Sequence, residues 1–250
     1  MPEKRFAYLE SQEELGITKH LGGPEATEEL IKACRIGKGD RVLDAGCGIG
    51  LTTIRLAKKH NCRATGIDTS EKLIGWARKN ANQLKNAEFM VADIRNLPFK
   101  DNTFDAVICE SVLAFIPDKK KTLAELARVV KPGGYVGLNE TVWLKPPPKE
   151  ILEYVKVIEE DIRLITPEQW IKLLEDAGLE DRKIKSYKIS AWKDFTDRVK
   201  LLGIWRVLKG LFAGITTPEY RNFVRKIAGK KAPKNLYDYY GYAVFVGKKK

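Results

Sequence analysis

Between Arg41 and Trp143 the chain alternates short apolar runs with amphipathic stretches, and this alternation constrains the fold more than any other feature. The runs RVLDA (41–45), CRATGID (62–68), AEFMVAD (87–93), FDAVICE (104–110) and YVGLNETVW (135–143) have the length and composition of strands. Between them LTTIRLAKKH (51–60), SEKLIGWARKNANQL (70–84) and DKKKTLAELARVV (118–130) carry a helical period. Leu51, Ile54, Leu56 and Ala57 make the apolar face of the first helix, and Trp76 of the second is expected in the core. Ser70 stands where an N-cap is needed, and KPGG (131–134) reads as a helix stop.

Buried runs joined by helices predict an α/β fold, doubly wound, with a mostly parallel Rossmann-like sheet of about seven strands. The whole chain, 1–250, reads as one domain with a core at 38–143. Residues 1–37 form an N-terminal segment with a helix, ATEELIKAC, after Pro24. Beyond the core, PPPKEILEYVKVIEE (146–160) and TPEQWIKLLEDAG (166–178) read as helices, the second capped by Thr166 with Pro167 at its first position. DRKIKSYKIS (181–190) and YYGYAVFVGKK (239–249) alternate as strands do. Their connection is far longer than a hairpin turn, which predicts a helical cap at 191–235 inserted before the last strand.

VLDAGCGIG (42–50) ends the first strand with an acid and then glycines at 46, 48 and 50. A dinucleotide fingerprint needs a third glycine where Leu51 stands, and a phosphate loop needs the Gly-Lys-Ser/Thr that is missing here. Asp44 is an awkward neighbour for phosphate but suits a cation. Asp68 ends the second strand, where a carboxylate can accept both hydroxyls of a ribose. Asp93, ending the third, can accept from an adenine amino group, with Ile94 against the ring. A cationic or neutral ligand carrying a ribose is the reading these residues support.

VLDAGCGIG, GIDTS, VADIRNLPF, FDAVICESVLAFI and RVVKPGGYV stand in the order and spacing of class I S-adenosylmethionine-dependent methyltransferases. The chain resembles most the branch acting on small molecules such as quinones, sterols, glycine and arsenite, strongly over residues 40–140. TKHLGGPEATEEL (18–30) is similar to the lid segment that several of those enzymes fold over the cofactor. The resemblance implies S-adenosyl-L-methionine as cofactor. Asp44, Gly46 and Gly48, in a loop completed by Cys47 and Gly50, would line its methionine end. Asp68 with Thr69 would hold the ribose, and Asp93 with Ile94 the adenine. Cys109 and Glu110 would face the methyl donor or the acceptor. A general base is needed only for an acceptor protonated at working pH, and Glu110, Glu140 and His20 are its candidates. As structural residues, Cys47 is a small filler in the loop, Cys109 an inert buried thiol and His60 a helix C-cap.

The acceptor is narrowed by exclusion. CESV (109–112) replaces the proline-rich run of base-amino methylases of nucleic acids, and Cys109 lacks the preceding proline of cytosine-C5 methylases. Four scattered cysteines do not reproduce an arsenite site or a zinc site. A small-molecule acceptor is the favoured partner. Residues 1–180 hold 27 Lys+Arg against 28 Asp+Glu, whereas 181–250 hold 18 against 5. Within that basic region VKLLGIWRVLKGLFAGI (199–215) is amphipathic. It reads as a cap over an apolar pocket, as a peripheral contact with anionic lipid, or as a grip on RNA. Nucleic acid is the weaker of these, and a non-catalytic cofactor-binding module is the rival of another class. Reduced thiols, no signal-type N-terminus and no long apolar span predict a cytoplasmic protein. Charged residues at 31% with three glutamines suit a thermophilic source.

Overall fold

The computed structural model describes residues 20–158, 162–189 and 232–250. Seven strands form one sheet in the order β3-β2-β1-β4-β5-β7-β6. They are β1 (Arg41–Ala45), β2 (Arg63–Asp68), β3 (Ala87–Val91), β4 (Phe104–Glu110), β5 (Val130–Trp143), β6 (Leu179–Lys188) and β7 (Tyr240–Lys249). The first five pair in parallel, and β7 runs antiparallel between β5 and β6. This is the doubly wound, mostly parallel sheet that the sequence predicts. Strand order reverses between β1 and β4, so a crevice opens at their carboxyl ends, where such sheets bind ligands.

One face is covered by α1 (Gly23–Ala33), α2 (Leu51–Lys59) and α3 (Glu71–Ala81). Leu30, Ile31, Leu56 and Ala57 bury there against Val42, Ala106, Ile108 and Val244, while Ile74 and Ala77 bury with Phe89. The other face is covered by α4 (Lys119–Val129) and α6 (Pro167–Asp176). Leu123, Leu126, Trp170 and Leu174 join Leu43, Val107, Leu138 and Phe245 in the main core. A further helix, α5 (Lys149–Ile158), sets Ile151 and Val155 beside Trp143. Ser70 accepts the Leu73 amide, Asp118 accepts the Lys121 amide, and Thr166 with Gln169 forms a capping box ahead of Pro167.

The period of two along a strand decides which acids can share a site. On β1 the neighbours of Asp44, Leu43 and Ala45, face the main core; on β4 the neighbour of Glu110, Cys109, does too. Asp44 and Glu110 thereby project to the α1–α3 face, and Glu140 of β5, in phase with Leu138 and Val142, projects to the other.

Four expectations change. The buried face of α2 is Thr52, Thr53, Leu56 and Ala57, with Leu51 and Ile54 only half-buried. Trp76 is half-buried at the surface beneath Lys72, 5.4 Å from its ring centre, instead of in the core. β5 starts at Val130 instead of Tyr135: KPGG stops the preceding helix as expected, but falls within the strand at a register shift between Phe104 and Ala106. The last strand starts at Tyr240 after a helical turn, Leu236–Tyr239. The cap expected at 191–235 and the segment 1–19 lie outside the described residues, apart from positions 232–235. Among the described residues no helix is long and apolar enough to cross a membrane.

Candidate functional site

The loop after β1 folds back on β2. The Gly46 and Cys47 amides both donate to the Ile67 carbonyl at 2.8 Å, and the Gly50 amide donates to the Cys47 carbonyl at 2.9 Å. Gly46 and Gly50 have φ of +86° and +81°, in the left-handed region. A Cβ on Gly46 would stand 2.3 Å from Val112 Cγ2, and one on Gly50 would stand 2.6 Å from the Phe89 ring. No side chain fits at either place. Cys47 is half-buried, with its Sγ 2.9 Å from where a Cβ on Gly66 would lie, so it fills space beside β2.

Three carboxylates surround this loop. Asp44 is 2% exposed and accepts from Thr53 Oγ1 at 2.6 Å and from the Thr53 amide. Burial pushes it up to about 7, against the Thr53 hydrogen bonds, and the charges of Glu110 and Asp68 raise it further. Asp68 accepts the Gly48 amide at 3.0 Å and the Ser70 amide at 2.9 Å, joining the loop to the start of α3. Glu110 accepts from Thr27 Oγ1 at 3.0 Å, Thr52 Oγ1 at 2.9 Å and Asn139 Nδ2 at 3.3 Å. His20 Nδ1 lies 3.6 Å from Glu110, and Asn139 Nδ2 also donates to the Leu21 carbonyl at 2.9 Å. The segment ahead of α1 is thus seated on the sheet by polar contacts.

The remaining candidates have different surroundings. Glu140 is fully buried on the opposite face, where it accepts backbone amides and meets no solvent, which removes it as a base toward an acceptor. Cys109 is enclosed in the main core, with its thiol held well above the ordinary range by burial. The Asp93 carboxylate is gripped by the Arg95 guanidinium at 2.5 and 2.9 Å, which lowers its pKa. Ile94 is buried in the main core with 4% exposure, and Thr69 is exposed. His60 stands at the C-cap of α2 with Nε2 3.3 Å from Glu28.

Sequence reasoning missed Thr27, Thr52, Thr53 and Asn139, the donors that hold Asp44 and Glu110. The available signal was partial: Thr52 and Thr53 stand one turn before Leu56 and Ala57 and share their buried face, and a buried threonine needs an acceptor.

These residues fit a cationic donor with a ribose. The loop offers bare backbone, carboxylates converge on it, and no basic side chain lies in 46–50. Among the described residues no group of His, Cys, Asp or Glu could hold a metal ion.

Known proteins agree with that fit. A methyltransferase-domain family model matches residues 43–138. Phosphoethanolamine N-methyltransferase 1 of Arabidopsis thaliana is 33% identical over 162 residues, which are 64% of this chain and 33% of that protein. The 27-O-demethylrifamycin SV methyltransferase of Amycolatopsis mediterranei is 30% identical over 182 residues, 69% of this chain and 66% of its own. The chain thus spans about a third of the first relative and 66% of the second. The crystal structure of MccD protein superposes with a TM-score of 0.70 at 24% identity, covering 92% of this chain and 99% of that one, and shares its fold. With the family's segment lying across the glycine loop and the strand-end acids, the chain belongs to the class I S-adenosylmethionine-dependent methyltransferases.

Proposed function

We propose that this protein moves the methyl group of S-adenosylmethionine to a small acceptor by in-line displacement. The observation that carries this reading is the charge of the crevice, where Asp44, Asp68 and Glu110 gather around a loop without a basic side chain. Bound there, the donor supplies a methyl group already activated by sulfonium charge. The chain's part is to hold and orient. Gly46, Gly48 and Gly50 let the backbone come close, Asp68 accepts from the ribose hydroxyls, and Asp44 supplies buried negative charge. Asp93 and Ile94 are the adenine side, with Asp93 sharing its carboxylate with Arg95. For an acceptor that must lose a proton, His20 is the base, with Nδ1 3.6 Å from the Glu110 carboxylate, whose charge would stabilise the imidazolium that forms.

The relatives carry acceptors as different as phosphoethanolamine and a rifamycin in their names, yet the family model covers only 43–138. The acceptor is then selected by residues outside that span: the segment carrying His20 and the region after Trp143. Four free thiols fit the cytoplasm. Linked ion pairs around Glu28 and around Arg128 fit a thermophilic source.

The test is calorimetric titration with S-adenosylmethionine, followed by S-adenosylhomocysteine formation across a panel of amines, phenols, quinols and alcohols. Binding with acceptor-dependent turnover is expected. Preference for a nicotinamide or nucleoside triphosphate over the methyl donor would overturn the reading. Donor binding without turnover across the panel would make the protein a silent module.

A further inference from the structure

Glu140 is a carboxylate buried completely in the apolar face of the sheet, a costly place for a charge without a task. Its Oε1 accepts the amides of Val112 at 3.0 Å and Leu113 at 2.8 Å, and its Oε2 accepts that of Ala114 at 3.1 Å. These amides open the 3₁₀ turn Leu113–Phe115, whose first N–H groups have no partner within the turn itself. A side chain from another strand therefore does the work of a cap. The preceding residue, Ser111, has φ of +58°, and its amide donates to the Asn139 carbonyl at 2.7 Å. Two successive residues of β5 thus hold four successive amides in a strained turn.

That turn bears on the glycine loop, because the Val112 side chain occupies the space above Gly46 that a Cβ would need. We propose, on the donor-binding reading above, that Glu140 is a positioning residue: by fixing the 111–115 turn it presses Val112 onto Gly46 and sets how tightly the loop grips the methyl donor. Lys119, 7% exposed and donating to the Ile116 carbonyl at 3.0 Å, pins the far side of the same turn and faces Glu140 electrostatically.

The test uses the full chain with S-adenosylhomocysteine as calorimetric probe. Wild-type protein is titrated first; no binding there would overturn the proposed function and leave Glu140 aside. Given wild-type binding, Glu140→Gln, which keeps one accepting oxygen, is expected to weaken it about 3- to 5-fold. Glu140→Leu, which fills the volume but accepts nothing, is expected to weaken it about 20-fold and to speed amide exchange at 112–114. Val112→Ala is expected to cost about 3-fold, and adding it to Glu140→Leu to cost less than the product of the two losses, since the two share the contact with Gly46. Leu174→Ala, a buried change on α6, serves as a destabilised control with unaltered affinity. Full additivity, wild-type affinity in Glu140→Leu, or equal loss in the Leu174 control would overturn the proposal. If neither Glu140 variant folds, Val112→Ala decides, and unchanged affinity there is equally fatal.

Discussion

Donor binding should expel a proton from Asp44, and the size of the effect follows from its surroundings. The carboxyl is 2% exposed, and its burial, opposed by hydrogen bonds from the Thr53 hydroxyl and amide and reinforced by the charges of Glu110 and Asp68, brings it to about 7. A sulfonium placed beside it favours the ionised form. If only that form binds the donor well, apparent affinity scales with the ionised fraction, which is about one in eleven at pH 6 and ten in eleven at pH 8. Affinity for S-adenosylmethionine should then rise about tenfold over that range, or about 1.4 kcal/mol. S-adenosylhomocysteine, which lacks the sulfonium charge, should show a smaller rise. Titrations at pH 7 in buffers of different ionisation enthalpy should report about half a proton released per donor. Glu140, also pushed to about 7 by burial, contributes equally with either ligand, so the difference between ligands belongs to Asp44. Asp44→Asn should abolish that difference. Identical pH profiles for the two ligands, or an unchanged difference in the variant, would refute the reasoning.

The same two acids make the ligand-free protein lose stability as pH rises. Their folded pKa values lie above the unfolded ones, so the native state holds more protons and stability present in acid is lost as pH climbs through about 7. Between pH 6 and 8 each group contributes on the order of 1 kcal/mol of loss, readable as a falling melting temperature. Asp68→Ala should weaken donor binding by about 1.5–3 kcal/mol, because the ribose acceptor and the Gly48 tie go together; titration calorimetry checks it. Gly46→Ala should abolish measurable donor binding, since its Cβ must displace Val112 while φ stays positive; a thermal melt confirms that the variant folds. Thr53→Val should cost about 1.5–3 kcal/mol at pH 8, where Asp44 is ionised, and less at pH 6, as urea unfolding at both values would show.

The fold was legible because its signals are local. Strands 41–45, 63–68, 87–91 and 104–110 announce themselves by short apolar runs between helical periods, and Ser70 and Thr166 cap helices from adjacent positions. Signals failed where the deciding partner is remote. Pro132 and the two glycines after it read as a break, yet pairing with β4 at Val130 before them and from Tyr135 after them makes one strand of the two sides. Thr52 and Thr53 look polar in isolation, and only the fold shows that carboxylates on β4 and β1 wait for them. Glu140 was indistinguishable from a site acid until strand phase sent it to the other face. Asp93 and Arg95 were both in plain view, but a two-residue spacing says nothing of whether the side chains clasp.

The position of β7 bears on how this molecule is made. It lies between β5 and β6, although β6 comes earlier in the chain. While the polypeptide emerges from a ribosome, β6 has no neighbour to join, and the flank of β5 stays open until residues 240–249 arrive. Closing the sheet also requires β6 to pair with a strand roughly fifty residues later in the chain, a long-range event that slows folding. Assembly is therefore expected to occur late and all at once, with the nascent chain leaning on chaperones to shield β5 in the interval.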